Sequence, residues 1–222
     1  MGMFCFQCEQ TAGGKGCTKV GVCGKDEHVS GLQDLLVYQL KGLGFWGTQL
    51  LSQGKELPEA AGDFMMEALF ATLTNVNFHD ERFVELLLQA QKLKEELAAS
   101  AGKLENVPAA ASFTLPQTKA QMELHAIGVG IQSDNLPEDL LSLRELLVYG
   151  LKGLAAYAHH AKVLDYEDSA IYNFAYRAMA AAGDNSKTAE ELLDLLMELG
   201  QVNFRCMELL DQANTGTYGN PE

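Results

Sequence analysis

Two nearly identical stretches decide the fold of this chain. Residues 35–43 read LLVYQLKGL and residues 146–154 read LLVYGLKGL, so they agree at every position except Gln39 against Gly150. The agreement includes tyrosine, lysine and glycine, which is too specific for two unrelated amphipathic helices. In both stretches apolar residues recur at spacings of three and four, as they do on the buried face of a helix. The repeat therefore predicts two related helical units in tandem, 111 residues apart.

The apolar periodicity on either side of these stretches predicts three helices in each unit. The first begins at residue 31, and the others cover residues 63–78, 80–101, 138–161, 167–182 and 187–213, with a short helical stretch at 118–127 between the units. A second echo, Val-Asn-Phe, occurs at residues 76–78 and again at 202–204. The predicted fold class is all-α, with an N-terminal cysteine-rich loop followed by two tandem three-helix bundles.

Glycine, proline and cysteine mark the boundaries of this organisation. The predicted parts are a cluster-binding segment at 1–30, a first bundle at 31–104, a connector at 105–136, a second bundle at 137–214 and a severed linker at 215–222. On this interpretation the chain is a piece of a longer protein.

Composition excludes several classes of function. The formal net charge of −14 argues against a nucleic-acid partner, because phosphate binding needs clustered lysine and arginine. No apolar stretch approaches the roughly 18 residues of a transmembrane helix, and no secretory signal is visible. We therefore expect a cytoplasmic protein with no membrane partner, in a compartment that keeps thiols reduced.

Four cysteines crowd into the first 23 residues and carry the predicted chemistry. They are Cys5, Cys8, Cys17 and Cys23, with two, eight and five residues between them. A tight turn brings the first two thiols together, and the glycine-rich loop at 11–16 returns the chain towards the other pair. The spacing favours one iron–sulfur cluster held by all four thiolates, with Lys15 and Lys19 adding positive potential nearby.

Three alternatives compete with an iron–sulfur cluster. Structural zinc also uses four cysteines, but usually as two short knuckles, and five residues between Cys17 and Cys23 exceed that habit. Disulfides need an oxidising compartment. Free core cysteines would follow an apolar period, and these four do not. Zinc remains the principal alternative.

Residues 3–25, MFCFQCEQTAGGKGCTKVGVCGK, resemble the N-terminus of the hybrid-cluster proteins, also called prismane proteins or hydroxylamine reductases. The spacing is similar to that of anaerobe-type members, which carry a [4Fe–4S] cluster. Residues 125–134, HAIGVGIQSD, and 143–161, LRELLVYGLKGLAAYAHHA, resemble the helical domain of the same family. The resemblance covers essentially the whole chain.

The resemblance implies an electron-transfer function. Full-length members continue into two further domains, which supply the ligands of a second, mixed cluster where hydroxylamine or nitric oxide is reduced. Those ligands have no matching positions here. The implied partners are an electron donor protein or reductase and these missing C-terminal domains, and we expect the present chain to be inactive as an enzyme by itself. The alternative is a structural or interaction domain that a metal cluster staples together.

Other candidates have simpler interpretations. Cys206 lies on an apolar helical face, which predicts a buried, inert thiol. None of the five histidines follows a glutamate by three positions, which excludes a di-iron carboxylate site built on that motif. Residues 42–47 formally match GxGxxG but follow no strand, so their glycines are interpreted as contacts for close helix packing.

Overall fold

The computed structural model describes residues 3–131 and 135–220 of the chain. Residues 132–134, the last three of the stretch HAIGVGIQSD at 125–134, lie outside the described residues. Within the described ranges the regular structure consists of α-helices and one 3-10 turn at Ala12–Gly14, which confirms the all-α prediction. The eight α-helices there are α1 Glu27–Ser52, α2 Glu59–Ala71, α3 Asp80–Ala101, α4 Ala109–Ser112, α5 Lys119–Ala126, α6 Glu138–Val163, α7 Ser169–Ala182 and α8 Ala189–Tyr218.

The repeat appears in the structure as two matching long helices. Helices α1 and α6 each contain 26 residues. Their first residues, Glu27 and Glu138, are 111 positions apart, as are their last, Ser52 and Val163. The offset read from nine residues thus holds over the full length of both helices, which confirms the principal repeat.

The second echo is a coincidence. Residues 76–78 lie in the turn and loop before α3, whereas residues 202–204 lie inside α8. The same three letters therefore occupy different structures, and the prediction that they belong to the repeat is wrong.

Three helix boundaries differ from the prediction. Helix α1 begins at Glu27, because the Asp26 carboxylate accepts a hydrogen bond from the backbone N–H of Val29 at 2.8 Å and caps it. Helix α2 runs over Glu59–Ala71 rather than 63–78, with Pro58 before its first residue. Helix α8 extends to Tyr218, so residues 215–218 of the predicted linker at 215–222 are helical.

The two units exchange their second helices. Helix α1 packs mainly against α3 and α7, while α6 packs mainly against α8 and α2. Each long helix therefore contacts the third helix of its own unit and the second helix of the other. One continuous apolar core results, and it draws residues from both units.

The glycines of the GxGxxG match serve close helix packing, as predicted. A Cβ on Gly44 would lie 2.8 Å from the backbone nitrogen of Ala180 in α7, and one on Gly47 would lie 2.1 Å from the Tyr176 ring. A Cβ on Gly42 would lie 2.2 Å from the Ala110 carbonyl oxygen in α4. Larger residues at these positions would push α1 away from its neighbours.

No helix in the described ranges combines the length and the apolar composition that crossing a membrane requires. Helix α8 is the most exposed of the long helices. Its buried residues recur every seven positions at Leu192, Leu199, Cys206 and Ala213, and this narrow stripe faces α6.

Candidate functional site

The cysteine-rich segment folds back on itself through a two-residue backbone pairing. The N–H of Cys5 donates to the carbonyl oxygen of Cys17 at 3.1 Å, and the N–H of Cys17 donates to that of Cys5 at 2.8 Å. This antiparallel pair joins the first cysteine of the Cys-x2-Cys turn to the returning strand of the loop. Two candidate ligands that are twelve positions apart in sequence are thereby brought side by side.

The loop at 11–16 makes this reversal possible through backbone conformation. Gly13 and Gly14 adopt φ of 61° and 65°, which side chains other than glycine rarely accept. At Gly21 a Cβ would be 3.0 Å from the Cys23 Sγ atom, so the absence of a side chain there lets the backbone pass close to this candidate ligand.

Cys17 has hydrogen-bond donors and a positive charge close to its sulfur. Its side chain is buried, and its sulfur accepts hydrogen bonds from the backbone N–H groups of Ala12 and Val22. These two bonds, together with the nearby Lys25 ammonium, lower the pKa of the Cys17 thiol below its ordinary value despite the opposing effect of burial. Hydrogen bonds to the charged form favour the thiolate, which is the state that binds metal.

Helix α6 supports the Cys-x2-Cys turn. The Tyr149 hydroxyl donates to the carbonyl oxygen of Gln7, which lies between Cys5 and Cys8. Burial raises the pKa of Tyr149, and the charges of Cys8 and Cys5 raise it further, because a negative phenolate beside thiolates is unfavourable. The turn is therefore anchored to the second copy of the repeat.

Two buried lysines lie beside the cysteines, and sequence reasoning missed both. Lys25 and Lys152 are 1% and 5% exposed, whereas the predicted Lys15 and Lys19 are exposed on the surface. The charge of Lys25 acts on Cys17, and that of Cys5 acts on Lys152. The available signal was weak: Lys152 interrupts an otherwise apolar helical face in the repeated stretch.

Lys152 also faces an acidic side chain across the site. Burial lowers the pKa of Lys152 to about 8 and raises that of Asp34 to about 7, and the attraction between the two opposes both shifts. Asp34 and Lys152 line a cavity of about 840 Å³ between α1, α6 and the N-terminal segment, and Cys8 borders the same cavity. Two opposite charges, the buried Lys152 and the partly buried Asp34, thus adjoin the turn between Cys5 and Cys8.

The spread of the four thiols bears on the choice of metal. Tetrahedral zinc with Zn–S distances of about 2.3 Å holds its sulfur ligands about 3.8 Å apart. No three of these cysteine sulfurs, all within residues 3–131, lie within 4.8 Å of one another. The four side chains as they stand therefore do not form a tetrahedral zinc site.

Within residues 3–131 and 135–220, one set of three carboxylates is close enough together to hold a metal ion. Glu59, Asp63 and Glu167 have ligand atoms within 4.8 Å of one another. The Lys162 ammonium lies 2.8 Å from Glu59, 3.5 Å from Asp63 and 2.8 Å from Glu167. The lysine supplies the positive charge there, so this group is a salt-bridge network.

The remaining cysteine behaves as predicted. Cys206 is fully buried, and its thiol donates to the carbonyl oxygen of Leu154 at 3.7 Å. Burial raises the pKa of Cys206 to about 12, so the group stays a neutral thiol. Its side chain packs between α8 and α6, and a neutral thiol of this kind is not a reactive nucleophile or metal ligand.

Comparison with known proteins gives a consistent family. The sequence model described as Prismane/CO dehydrogenase family matches residues 3–222. A hydroxylamine reductase of Syntrophobacter fumaroxidans is 46% identical over 99% of this chain and 41% of its own length. A hydroxylamine reductase of Desulfitobacterium hafniense is 46% identical over 100% of this chain and 41% of its own length. One of Acetivibrio thermocellus is 41% identical over 100% of this chain and 40% of its own length. The chain therefore spans about two fifths of the length of these relatives.

Proposed function

The chain belongs to the Prismane/CO dehydrogenase family, and from this premise we propose that it binds a [4Fe–4S] cluster through Cys5, Cys8, Cys17 and Cys23 for electron transfer. The protein it serves would be hydroxylamine reductase-like, as its relatives are named. The observation that carries the proposal is the paired backbone of Cys5 and Cys17, which brings the two halves of the ligand set together.

The chemistry of the donor set supports this proposal. Iron–sulfur clusters are held by four cysteine thiolates, and hydrogen bonds to sulfur tune their potentials. Cys17 receives two backbone N–H bonds and lies near a buried ammonium group, so its thiolate is favoured before any metal binds. When bound, the cluster would supply a site that takes up and releases one electron. The backbone turn, Tyr149 and the buried lysines hold and polarise its ligands.

The partners follow from the part of the relatives that this chain matches. An electron donor protein or reductase would deliver the electron, and the regions of the relatives beyond the match would receive it. Cys206 is buried and neutral, so it offers no ligand for a second centre. We therefore expect this chain to lack hydroxylamine turnover by itself. Thiolate ligands also favour a reducing compartment, which makes the cytoplasm part of the proposal.

Anaerobic purification tests the proposal directly. We expect about four irons and four sulfides per chain, and a paramagnetic signal at low temperature that appears on reduction with dithionite and disappears on reoxidation. Cys17→Ala should lose most of the iron, while Cys206→Ala, the matched control, should keep it. One zinc per chain with no sulfide, or iron retention in the Cys17 variant, would falsify the assignment.

A structural function has one specific observation in its favour. Among the described residues before α1, only Met3 and Cys17 belong to the buried apolar set, so the segment has almost no core of its own. A cluster could therefore act as a staple that fastens this segment to the bundle. If the cluster is purely structural, its loss should unfold the N-terminal segment, and dithionite should leave the spectrum of the intact cluster unchanged. A reversible reduction supports the electron-transfer function instead.

A further inference from the structure

The two buried lysines flank the ligand set from different elements of the chain. Lys25 follows Cys23 by two positions and its charge acts on Cys17. Lys152 comes from the middle of α6 and is within electrostatic range of Cys5. The two ammonium groups also repel each other, since Lys25 lowers the pKa of Lys152. Two like charges are therefore buried close together in the same part of the protein.

Direct hydrogen bonding leaves these charges poorly compensated. The Lys25 Nζ atom donates to the neutral amide oxygen of Gln33 at 2.5 Å. The Lys152 Nζ atom contacts the carbonyl oxygen of Thr72 at 3.4 Å and, with the Gln7 amide oriented to satisfy both of its neighbours, the Gln7 amide oxygen at 3.1 Å. These three acceptors, the two amide oxygens and the carbonyl oxygen, are all neutral.

Carboxylates act on the two lysines over a longer range. Asp34 and Glu145 attract Lys152, and Asp34 also feels Lys25. Burial raises the pKa of Asp34, which weakens the negative charge that it contributes. A buried charge costs free energy unless it is compensated. Four thiolates around an iron–sulfur core would supply negative charge that compensates the two lysines. Reduction of that core by one electron would add one more negative charge.

We propose that Lys25 and Lys152 are positioning residues that set the reduction potential of the cluster, an inference that rests on the proposed function. Each buried ammonium attracts the reduced cluster more strongly than the oxidised one, because the reduced state carries one more negative charge. The attraction acts from two buried side chains, where screening by salt is weak. Together the lysines offset the unfavourable effect of a chain whose net charge is −14.

A purely structural interpretation of the lysines makes a different prediction. Lys152 connects the Gln7 side chain to the Thr72 carbonyl group, so it could serve only to fasten the ligand turn. In that case its removal would weaken cluster retention but leave the potential of the retained clusters unchanged. The measurement therefore has to report potential and iron content separately.

The experiment is a potentiometric titration of the anaerobically purified chain, followed by electron paramagnetic resonance. Lys25→Met and Lys152→Met should each lower the equilibrium constant for cluster reduction at least tenfold, which equals a decrease of about 59 mV for a one-electron couple. Lys19→Met removes the same charge from the exposed surface, and we expect a much smaller shift there because water screens it.

A second variant covers the case in which a methionine variant loses its cluster. Gln33→Glu is nearly isosteric and places a carboxylate at the 2.5 Å contact with Lys25, which neutralises the lysine without removing it. It should lower the potential in the same direction as Lys25→Met. Unchanged potentials in Gln33→Glu and in the iron-replete lysine variants would overturn the inference. Absence of iron and sulfide from the unmodified chain would instead overturn the proposed function.

Discussion

Gly42 and Gly153 occupy equivalent positions in α1 and α6, but only Gly42 is covered by the backbone of another segment. A Cβ on Gly42 would lie 2.2 Å from the Ala110 carbonyl oxygen, whereas one on Gly153 would meet nothing within 4 Å. The neighbouring pair repeats the contrast. Trp46 is 7% exposed and donates to the Ala111 carbonyl oxygen at 3.0 Å, while Tyr157, its counterpart, is 43% exposed. Helix α4 therefore covers α1 at a position where α6 is open.

The two glycines offer a matched pair of substitutions with opposite expected signs. Gly42→Ala forces α1 and α4 apart, so we expect the free energy of unfolding to fall by about 1–3 kcal/mol or more. Gly153→Ala removes a flexible residue from a helix interior with open space beside it, so we expect a gain of about 0.5–1 kcal/mol. Urea unfolding followed by far-ultraviolet circular dichroism measures both. Equal effects at the two sites would show that α4 does not cover Gly42 as described.

The single mismatch in the repeated stretch also has a structural cause. Gln39 donates to the Gln91 amide oxygen at 3.1 Å and accepts from the Lys94 ammonium at 2.6 Å. At the equivalent Gly150 a Cβ would lie 2.4 Å from the Leu199 Cδ2 atom in α8. In the first unit this position therefore carries a side chain that hydrogen-bonds to α3. In the second unit it carries no side chain, which leaves room for Leu199 of α8.

Restoring the repeat at this position should therefore destabilise the protein. Gly150→Gln displaces Leu199 from a buried site, and overpacking of this kind costs about 1–3 kcal/mol in the free energy of unfolding. Gly200→Ala in α8, where a Cβ would have open space, is a suitable control and should be neutral or stabilising. A Gly150→Gln variant as stable as the parent chain would mean that α8 can shift without cost.

Tyr149 provides a test of how the ligand turn is held. Tyr149→Phe removes the hydroxyl that donates to Gln7, and the loss of one such hydrogen bond is worth about 1 kcal/mol. We expect the bound iron to be released to a chelator several-fold faster, with the unfolding of the helices little changed. Tyr157→Phe, about two turns further along α6, is the control. Equal chelation rates in both variants would remove Tyr149 from the account of the site.

Periodicity was sufficient to predict the long helices because their buried faces are formed by local sequence. The nine-residue repeat at 35–43 and 146–154 located α1 and α6, and α3 was predicted at the residues where it occurs, whereas the short α4 lies in the predicted connector. What periodicity does not encode is which apolar faces meet. Helix α7 packs on α1 rather than mainly on α6, and the close contact depends on Gly44, where a Cβ would lie 2.8 Å from the Ala180 nitrogen.

Candidate ligands could be proposed from the sequence, but their surroundings could not. Cysteine spacing is a property of one short segment, so the four candidate ligands could be read directly. Lys152 and Tyr149 reach the segment from more than 140 residues away, as the contact between Tyr149 and Gln7 shows. Their local sequence carries only a weak signal, the interruption of an apolar helical face by Lys152. Only the packing of the N-terminal segment on α6 gives them a function.

Lys94 is a third buried cation, remote from the cysteines, and it should make stability depend on pH. Its ammonium donates to the Gln39 amide oxygen at 2.6 Å and to the Phe113 carbonyl oxygen at 2.5 Å, and burial lowers its pKa to about 8. The ordinary value in an unfolded chain is about 10.4. Between these values the unfolded chain binds more protons than the folded one, so the free energy of unfolding should rise with pH.

The expected rise is at most about 1.4 kcal/mol per pH unit, between about pH 8 and pH 10. Below that window the lysine is protonated in both states, so its contribution is constant. Lys94→Met lacks the titrating group and should be less pH-dependent in this range by that amount, whatever its stability at neutral pH. Urea unfolding of both proteins at several pH values measures the difference. If the two curves run parallel from pH 7 to pH 10, Lys94 keeps an ordinary pKa, and its polar contacts offset the cost of burying its charge.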